Sequence, residues 1–229
     1  MEPSPLAPIR RAERRGLADE AADRVREAIF TGLFQPGGAL REVELAASLG
    51  VSRGAVREGL AVLAREGLVQ SEWHRGTRVT EVTAPDVEEV YAVRAALERV
   101  AARAAAERSG AFEWDDLDRL VDTMAAEIAR GADVTRLLAL DVEFHDRIYR
   151  LSGNRRLLDA WLAIRSQVHL FLLTRVRLGH EQYRGIVVDE HRELVALLRV
   201  KDLTTLERVA EEHVRSAGRV LAEQLADGR

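Results

Sequence analysis

The stretch from residue 45 to residue 69 most constrains what this chain can fold into, because it has the pattern of two helices joined by a sharp turn. The apolar positions Leu45 and Leu49 lie on one helical face, and Gly50 follows them. Glycine readily adopts the left-handed conformation that ends helices, so the first helix is expected to stop there. Ser52 then offers a side-chain oxygen as the N-cap of the second helix.

The second helix has one face for the core and another that the core does not need. Val56, Leu60 and Leu63 recur at helical spacing, which predicts a buried face. Arg53 and Arg57 lie four residues apart at the N-terminal end, on a different face. Two tightly joined helices with arginines at the start of the second are typical of a helix-turn-helix that reads a DNA major groove.

The flanking segments predict a winged helix-turn-helix domain over residues 19–82. An amphipathic helix is expected over about 19–31, and short strands over 68–73 and 77–82. Residues 1–18 are rich in proline and arginine without periodicity, so we interpret them as a flexible arm. The alternative is an ordered arm that contacts DNA.

Between the two strands, His74, Arg75 and Gly76 form the expected hairpin tip. A hairpin directly after a recognition helix is a wing, and its basic tip can reach a minor groove. The alternative interpretation is an ordinary solvated turn.

Beyond the wing, residues 83–229 predict only helices, with Asp86 as the expected N-cap of the first. Glycine- and polar-rich breaks separate six amphipathic segments with short connections, which favours an antiparallel bundle. The fold class is therefore mainly α: an N-terminal winged helix-turn-helix followed by an all-helical bundle. The six helices are expected over about 86–108, 114–130, 135–152, 154–178, 182–200 and 203–226.

Composition narrows the functional classes. The 229 residues contain no cysteine, which excludes disulfides and thiolate metal sites. No apolar run approaches the ~20 residues that a membrane span needs, and a cytoplasmic protein is expected. The net charge of −4 argues against a generally basic surface, so DNA binding has to rest on the local arginines.

A second constellation of residues lies in the bundle. His191 and His213 are each eleven residues from Asp202, where the turn between the last two helices is expected. In an antiparallel pair they therefore lie at the same level, each about 16 Å from the turn. Asp141 and His145 share one face of another helix, one turn apart.

Three imidazoles and one carboxylate can bind a divalent metal ion and leave coordination positions open. The alternatives are a helical ion pair between Asp141 and His145, and independently satisfied histidines, with Glu190 as a partner for His191. No general base is placed beside the cluster and no hydrolase or nucleotide-binding motif occurs, so an enzyme is not expected. The open positions suit a carboxylate ligand, with Arg94 as a candidate contact; its alternative is a structural salt bridge.

At this level of detail the chain, over about residues 19–226, resembles GntR-superfamily transcriptional regulators of the FadR-like branch, whose C-terminal FCD domain is all-helical. The residues that carry the resemblance are Leu40-Arg-Glu, Leu45-Ala, Leu49-Gly-Val-Ser-Arg53, Val56-Arg57-Glu-Gly-Leu60, Leu63, Glu66-Gly-Leu-Val69 and Arg75-Gly76 in the first half, and Asp141, Phe144-His145, Ser152-Gly-Asn154, Glu190-His191 and His213 in the second.

The resemblance implies a homodimer on palindromic double-stranded operator DNA, with a small carboxylate effector changing DNA affinity, most often as a repressor. The bundle residues Asp141, His145, His191 and His213 match the family's metal ligands, with zinc as the first candidate and nickel or manganese as alternatives. The DNA-contacting set predicted from the recognition helix and the wing is Arg41, Ser52, Arg53, Arg57, His74, Arg75 and Gly76.

Two positions depart from the family pattern. Gly54 stands where threonine or proline is frequent, so the operator sequence cannot be inferred from relatives. Glu44 stands where arginine is common, which is expected to weaken phosphate attraction locally. A rival hypothesis keeps the DNA-binding half and treats the bundle as a dimerisation module without metal or effector.

Overall fold

A computed structural model describes residues 16–72, 76–131, 133–179 and 182–227. The described residues of the N-terminal part form three helices and a three-stranded antiparallel sheet in the order β1-β3-β2. Its elements are α1 (Leu17–Phe30), β1 (Ala39–Leu40), α2 (Glu42–Leu49), α3 (Arg53–Arg65), β2 (Val69–Glu72) and β3 (Gly76–Val79). This is a winged helix-turn-helix, as the sequence predicts.

The turn between α2 and α3 has the predicted chemistry. Gly50 adopts a left-handed conformation with φ of 66°. The Ser52 hydroxyl accepts a hydrogen bond from the backbone N–H of Ala55 at 3.2 Å, so Ser52 caps α3. Leu60 and Leu63 on the opposite face are buried in the core of this domain. The first turn of α3 is thereby held out toward solvent.

The C-terminal part, as far as the structure describes it, contains six helices whose bounds lie within three residues of those predicted from periodicity. They are α4 (Ala84–Arg108), α5 (Ala111–Ala129), α6 (Val134–Leu151), α7 (Arg155–Arg177), α8 (Gln182–Val200) and α9 (Leu203–Asp227). The interior of the bundle contains Trp114, Phe144 and Trp161, all almost fully buried. No helix within the described residues is long and apolar enough to span a membrane.

One local prediction is wrong, and one short strand was not predicted. Asp86 does not cap α4; Thr83 is the N-cap and accepts a hydrogen bond from the backbone N–H of Asp86, because Pro85 occupies the first turn, where no donor is needed. The unpredicted strand is β1, in which Ala39 and Leu40 pair with β3 and Leu40 is buried in the core.

The two domains pack directly on one another. Val25 and Ile29 of α1 belong to the same apolar cluster as Leu170 and Phe171 of α7. The Ser166 hydroxyl of α7 donates a hydrogen bond at 2.9 Å to Glu66, the C-cap residue of α3. The bundle is therefore in contact with the helix that carries the predicted DNA-reading arginines.

Candidate metal centre and DNA-binding surface

The first turns of α3 present Arg53 and Arg57 to solvent, with side chains 61% and 66% exposed. Glu42, at the start of α2, lies between them. Nε and Nη2 of Arg57 donate to the two Glu42 carboxylate oxygens, both at 3.2 Å, and Arg53 approaches the same carboxylate at 3.7 Å. Hydrogen bonding from Arg57 lowers the pKa of Glu42, so the carboxylate is ionised. Both arginines thus have a carboxylate partner when no DNA is present.

Of the other predicted DNA contacts, Arg41, Ser52 and Gly76 lie within the described residues. Arg41 is exposed and pairs with Glu44 at 2.8 Å, the residue that the sequence identified as an unfavourable departure. Gly76 is exposed at the start of β3, with φ of 73°, a conformation that favours glycine. His74 and Arg75 lie outside the described residues.

In the bundle, one ring nitrogen from each of His145, His191 and His213 lies within 4.8 Å of the other two. These residues come from α6, α8 and α9. The His191 and His213 ring centroids are 5.0 Å apart, which agrees with their equal distance from the α8–α9 turn. His145 and His191 are fully buried and His213 is largely buried.

The hydrogen bonds of the three rings determine which nitrogen remains available. His145 Nδ1 lies 2.6 Å from Glu98 Oε1, and His213 Nδ1 lies 2.9 Å from Glu190 Oε2. His191 Nδ1 lies 2.6 Å from the Val187 carbonyl oxygen. Because carbonyl and carboxylate oxygens only accept, each Nδ1 donates, and each neutral ring then has its lone pair on Nε2. Metal-binding histidines are oriented in this way in proteins.

Two of these Nε2 atoms are buried orphans. Those of His145 and His191 are buried without a hydrogen-bond partner among the described residues. Burial lowers the pKa of His191 to about 3, so its imidazole is neutral near pH 7. Buried polar atoms without partners are rare and costly, and a metal ion would satisfy both. The donor set therefore fits a divalent metal.

Asp141 completes the predicted set. Its Oδ1 lies 3.4 Å from His191 Nε2, and the side chain is buried. Burial raises the pKa of Asp141, but the basic groups around it, His191, His145 and Arg94, outweigh that effect and hold the pKa below its usual value. An ionised carboxylate therefore faces the same space as the imidazole nitrogens.

The predicted effector contact, Arg94, lies in this interior. It is 2% exposed, and its guanidinium lies over the rings of Tyr91 and Trp161 at 5.5 and 5.6 Å. With Asp141, Arg175 and His213 it lines a small cavity of about 20 Å³, enough for about one water molecule. The Nε atoms of Arg94 and Arg175 are both buried without a hydrogen-bond partner in the described part of the chain. Two unsatisfied guanidinium donors favour an anion here.

The two pairings that the sequence offered as alternatives to a metal site differ from those in the structure, and one buried arginine was missed. Glu98 of α4, rather than Asp141, is the hydrogen-bond partner of His145. Glu190 accepts from His213 and not from its neighbour His191. Arg175 carries no local signal, since a single arginine within an apolar helix has the same pattern whether it is buried or exposed.

Comparison with known families covers both halves of the chain. The family described as "Bacterial regulatory proteins, gntR family" matches residues 17–79. The FCD domain matches residues 89–216, which include all four predicted metal ligands.

Individual relatives and structures agree with these matches. The chain is 31% identical to a probable D-xylose utilization operon transcriptional repressor of Paenarthrobacter nicotinovorans, over 91% of this chain and 90% of that protein. It is 28% identical to a gluconate operon transcriptional repressor of Bacillus licheniformis, over 86% and 82%. In fold it is similar to E. coli McbR/YncC (TM-score 0.79, 21% identity, 92% and 99% covered) and to a GntR transcriptional regulator from Rhodococcus sp. RHA1 (TM-score 0.77, 24% identity, 89% and 96% covered).

Proposed function

The chain belongs to the GntR family of bacterial regulatory proteins, with an FCD domain after its winged helix, and on that basis we propose that it is a metal-dependent repressor controlled by a small carboxylate. It is a transcriptional regulator, as its relatives are, and not an enzyme. The observation that carries the finer proposal is the pair of buried, unpartnered Nε2 atoms of His145 and His191 in the three-histidine cluster.

DNA binding is assigned to the exposed first turns of α3. We infer that operator phosphates or base edges take the place of Glu42 as partner of Arg53 and Arg57. Exposed ion pairs contribute little stability, about 0–1 kcal/mol, so the exchange costs little. Arginine forks suit both guanine edges and phosphates, and Gly76 belongs to the β2–β3 hairpin that follows α3 in the chain.

The metal would be held by Asp141, His145, His191 and His213. Hydrogen bonds from the three Nδ1 atoms to Glu98, Glu190 and the Val187 carbonyl hold the rings in the tautomer that ligation needs. When bound, a divalent metal supplies Lewis-acid positions for a carboxylate oxygen. Zinc is the first candidate, with nickel and manganese as alternatives.

Effector binding is assigned to the small cavity beside the histidines. Arg94 and Arg175 each present an unsatisfied buried Nε–H near this cavity, and a carboxylate could accept from both. Since the cavity holds about one water molecule, a larger effector has to displace side chains such as Tyr183, which lines the same wall. That displacement offers a physical route from ligand binding to a change of conformation.

We assign the homodimer interface to an apolar stripe on α4. Val93 and Val100 are 52% and 43% exposed on the flank that faces away from α9, on either side of Leu97. Asp86 and Arg108 are each eleven residues from Leu97. In an antiparallel pair centred on Leu97 they would oppose one another with complementary charge. Val93→Glu is then expected to convert the dimer to a monomer in analytical ultracentrifugation, whereas Val200→Glu, at a still more exposed valine of α8, is expected to leave it unchanged.

Coupling between the two halves is assigned to α7. This helix carries Arg175 at the cavity and Ser166 at the hydrogen bond to Glu66, which ends α3. Arg26 of α1 donates to the same Glu66 carboxylate at 2.9 Å. A shift of α7 would therefore act on both α1 and the recognition helix. Allosteric couplings are typically worth about 1–3 kcal/mol.

The test uses a selected operator duplex and the full-length protein loaded with zinc. Citrate and gluconate are titrated against the complex, with fluorescence anisotropy reporting DNA release. We expect one of them to weaken DNA binding at least about fivefold, and Arg94→Met to abolish that response while basal DNA binding persists. If the response is the same after the metal is removed by chelation, metal-dependent control is wrong. Tight DNA binding without any metal or carboxylate response would instead support the dimerisation-module hypothesis.

A further inference from the structure

A cleft between the DNA-binding domain and the bundle has the properties of a second ligand site. It has a volume of about 580 Å³, within the ~300–1,000 Å³ typical of small-molecule pockets. One wall comes from α1 and the other from α6 and α7, with Phe30, Ala139 and Val142 among its apolar lining residues. It is separate from the histidine cluster, whose cavity has a different lining.

His169 is the residue that points to a ligand. It lines this cleft, is 9% exposed, and makes no hydrogen bond with the described residues. Both ring nitrogens of His169 retain some exposure to solvent. Burial lowers the pKa of His169 to about 4, so near pH 7 the neutral ring offers one donor and one acceptor. A nine-tenths buried imidazole without a partner is thus available from the cleft.

The same residue supplies an aromatic surface. The rings of His169 and Phe30 stack with centroids 3.9 Å apart and planes 23° from parallel. This pair joins α7 to α1, and both residues line the cleft. A planar ligand ring can pack against such a stack in the offset or edge-to-face arrangements that aromatic groups prefer.

Charges at the rim favour an anion. Three arginines and two carboxylates line the cleft, which leaves one formal positive charge. Arg165 donates hydrogen bonds to both carboxylate oxygens of Asp146, and Arg26 pairs with Glu66 and Asp23. Within the described part of the chain, the one ion pair of Arg136 is a 4.0 Å approach to Glu127, a carboxylate that already pairs with Arg130 at 2.8 Å. Of the three arginines that line the cleft, Arg136 therefore has the weakest ion pair and is the most available to bind an anionic ligand.

We propose that this cleft binds a small planar aromatic anion, with its ring against Phe30 and His169 and its acidic group toward Arg136. Helix α6 forms a wall of the cleft through Val142 and carries the adjacent residue Asp141 toward the histidine cluster. A ligand in the cleft would contact both α1 of the DNA-binding domain and α6 of the bundle. Ligand binding in the cleft would therefore act directly on the packing of the DNA-binding domain against the bundle, separately from the histidine cluster.

The test titrates benzenesulfonate into the full-length protein, because a sulfonate is a poor metal ligand and reports on the cleft rather than on the histidine cluster. Binding is followed by NMR of ¹³C-labelled histidine rings, with the His169 signal identified from its loss in His169→Phe. We expect saturable shifts of that signal with a Kd of about 1 mM or tighter. Methanesulfonate, which lacks the ring, is expected to give none.

Variants separate the cleft from a general attraction between anions and protein. Arg136→Gln is expected to weaken benzenesulfonate binding at least about threefold, and Ala139→Leu, which fills the cleft from an exposed position, to abolish it. Arg119→Gln is the matched control, since Arg119 is a similarly exposed arginine on α5 outside the cleft. Thermal melts confirm that each variant is folded. Equal binding of the two sulfonates, equal weakening by both arginine variants, or no shift at His169 would overturn the proposal.

Discussion

Charged groups at the DNA-binding surface and in the bundle interior are paired in opposite environments. Arg53 and Arg57 share Glu42 in contact with solvent, where partners exchange at little cost. Glu98, His145 and Asp141 are almost wholly buried, where each unpaired charge is expensive. The comparison teaches that exposed arginines can exchange one anionic partner for another at little cost, whereas the interior leaves Nε2 of His145 and His191 buried without hydrogen-bond partners among the described residues, which is why we propose a metal there.

The interior should be the more sensitive of the two to loss of a single carboxylate. Glu98→Leu removes the acceptor of His145 and a neighbouring charge of Arg94, leaving polar groups buried without compensation. We expect the free energy of unfolding, measured by urea denaturation, to fall by about 3 kcal/mol or more. Glu107→Leu on the same helix is the control; its carboxylate is exposed, and its loss should cost less than about 0.5 kcal/mol. Equal losses of unfolding free energy in the two variants would show that water solvates the groups around Glu98 and that burial does not make them sensitive.

At the DNA-binding surface the effect should appear in binding and not in stability. Arg57→Ala is expected to weaken operator binding by about 1–3 kcal/mol and to leave the unfolding midpoint nearly unchanged, since the side chain is 66% exposed. Arg24→Ala removes a comparably exposed arginine of α1 and should not alter binding. Full operator affinity of Arg57→Ala at physiological salt would refute the recognition-helix assignment.

The smallest expected effect tests whether the surface pair restrains the arginines. Glu42→Gln removes the carboxylate that Arg53 and Arg57 share, so DNA affinity should rise about two- to fivefold at low salt. Glu20→Gln, at an exposed carboxylate paired with Arg24, is the control and should have no such effect. Weaker DNA binding by Glu42→Gln would mean that the carboxylate holds the arginines in position for DNA.

Much of this arrangement could be predicted because helical periodicity reports directly on helix length and on the buried face. Equal spacing of His191 and His213 from their turn was enough to place them together, since an antiparallel helix pair has only one register around a short connection. Ser52 and Gly50 likewise have a local chemistry that identifies the turn.

Helical periodicity does not predict contacts between segments that are distant in the sequence. Glu98 meets His145 across 47 residues, and a helical pattern does not say which neighbouring helix faces a given side chain. The contact between Glu42 of α2 and Arg57 of α3 could not be predicted for the same reason. The strand β1 contains two residues, too few to show an alternating pattern, and it forms only because β3 offers a free edge.

Metal content of the full-length protein tests the central claim most directly. Inductively coupled plasma mass spectrometry of purified protein dialysed against zinc is expected to find about one ion per chain, with zinc also raising the melting temperature. His213→Ala should lose most of that metal, whereas His169→Phe, at a histidine outside the cluster, should retain it. Absence of bound metal in the wild-type chain, with no effect of zinc on its melting temperature, would contradict the account.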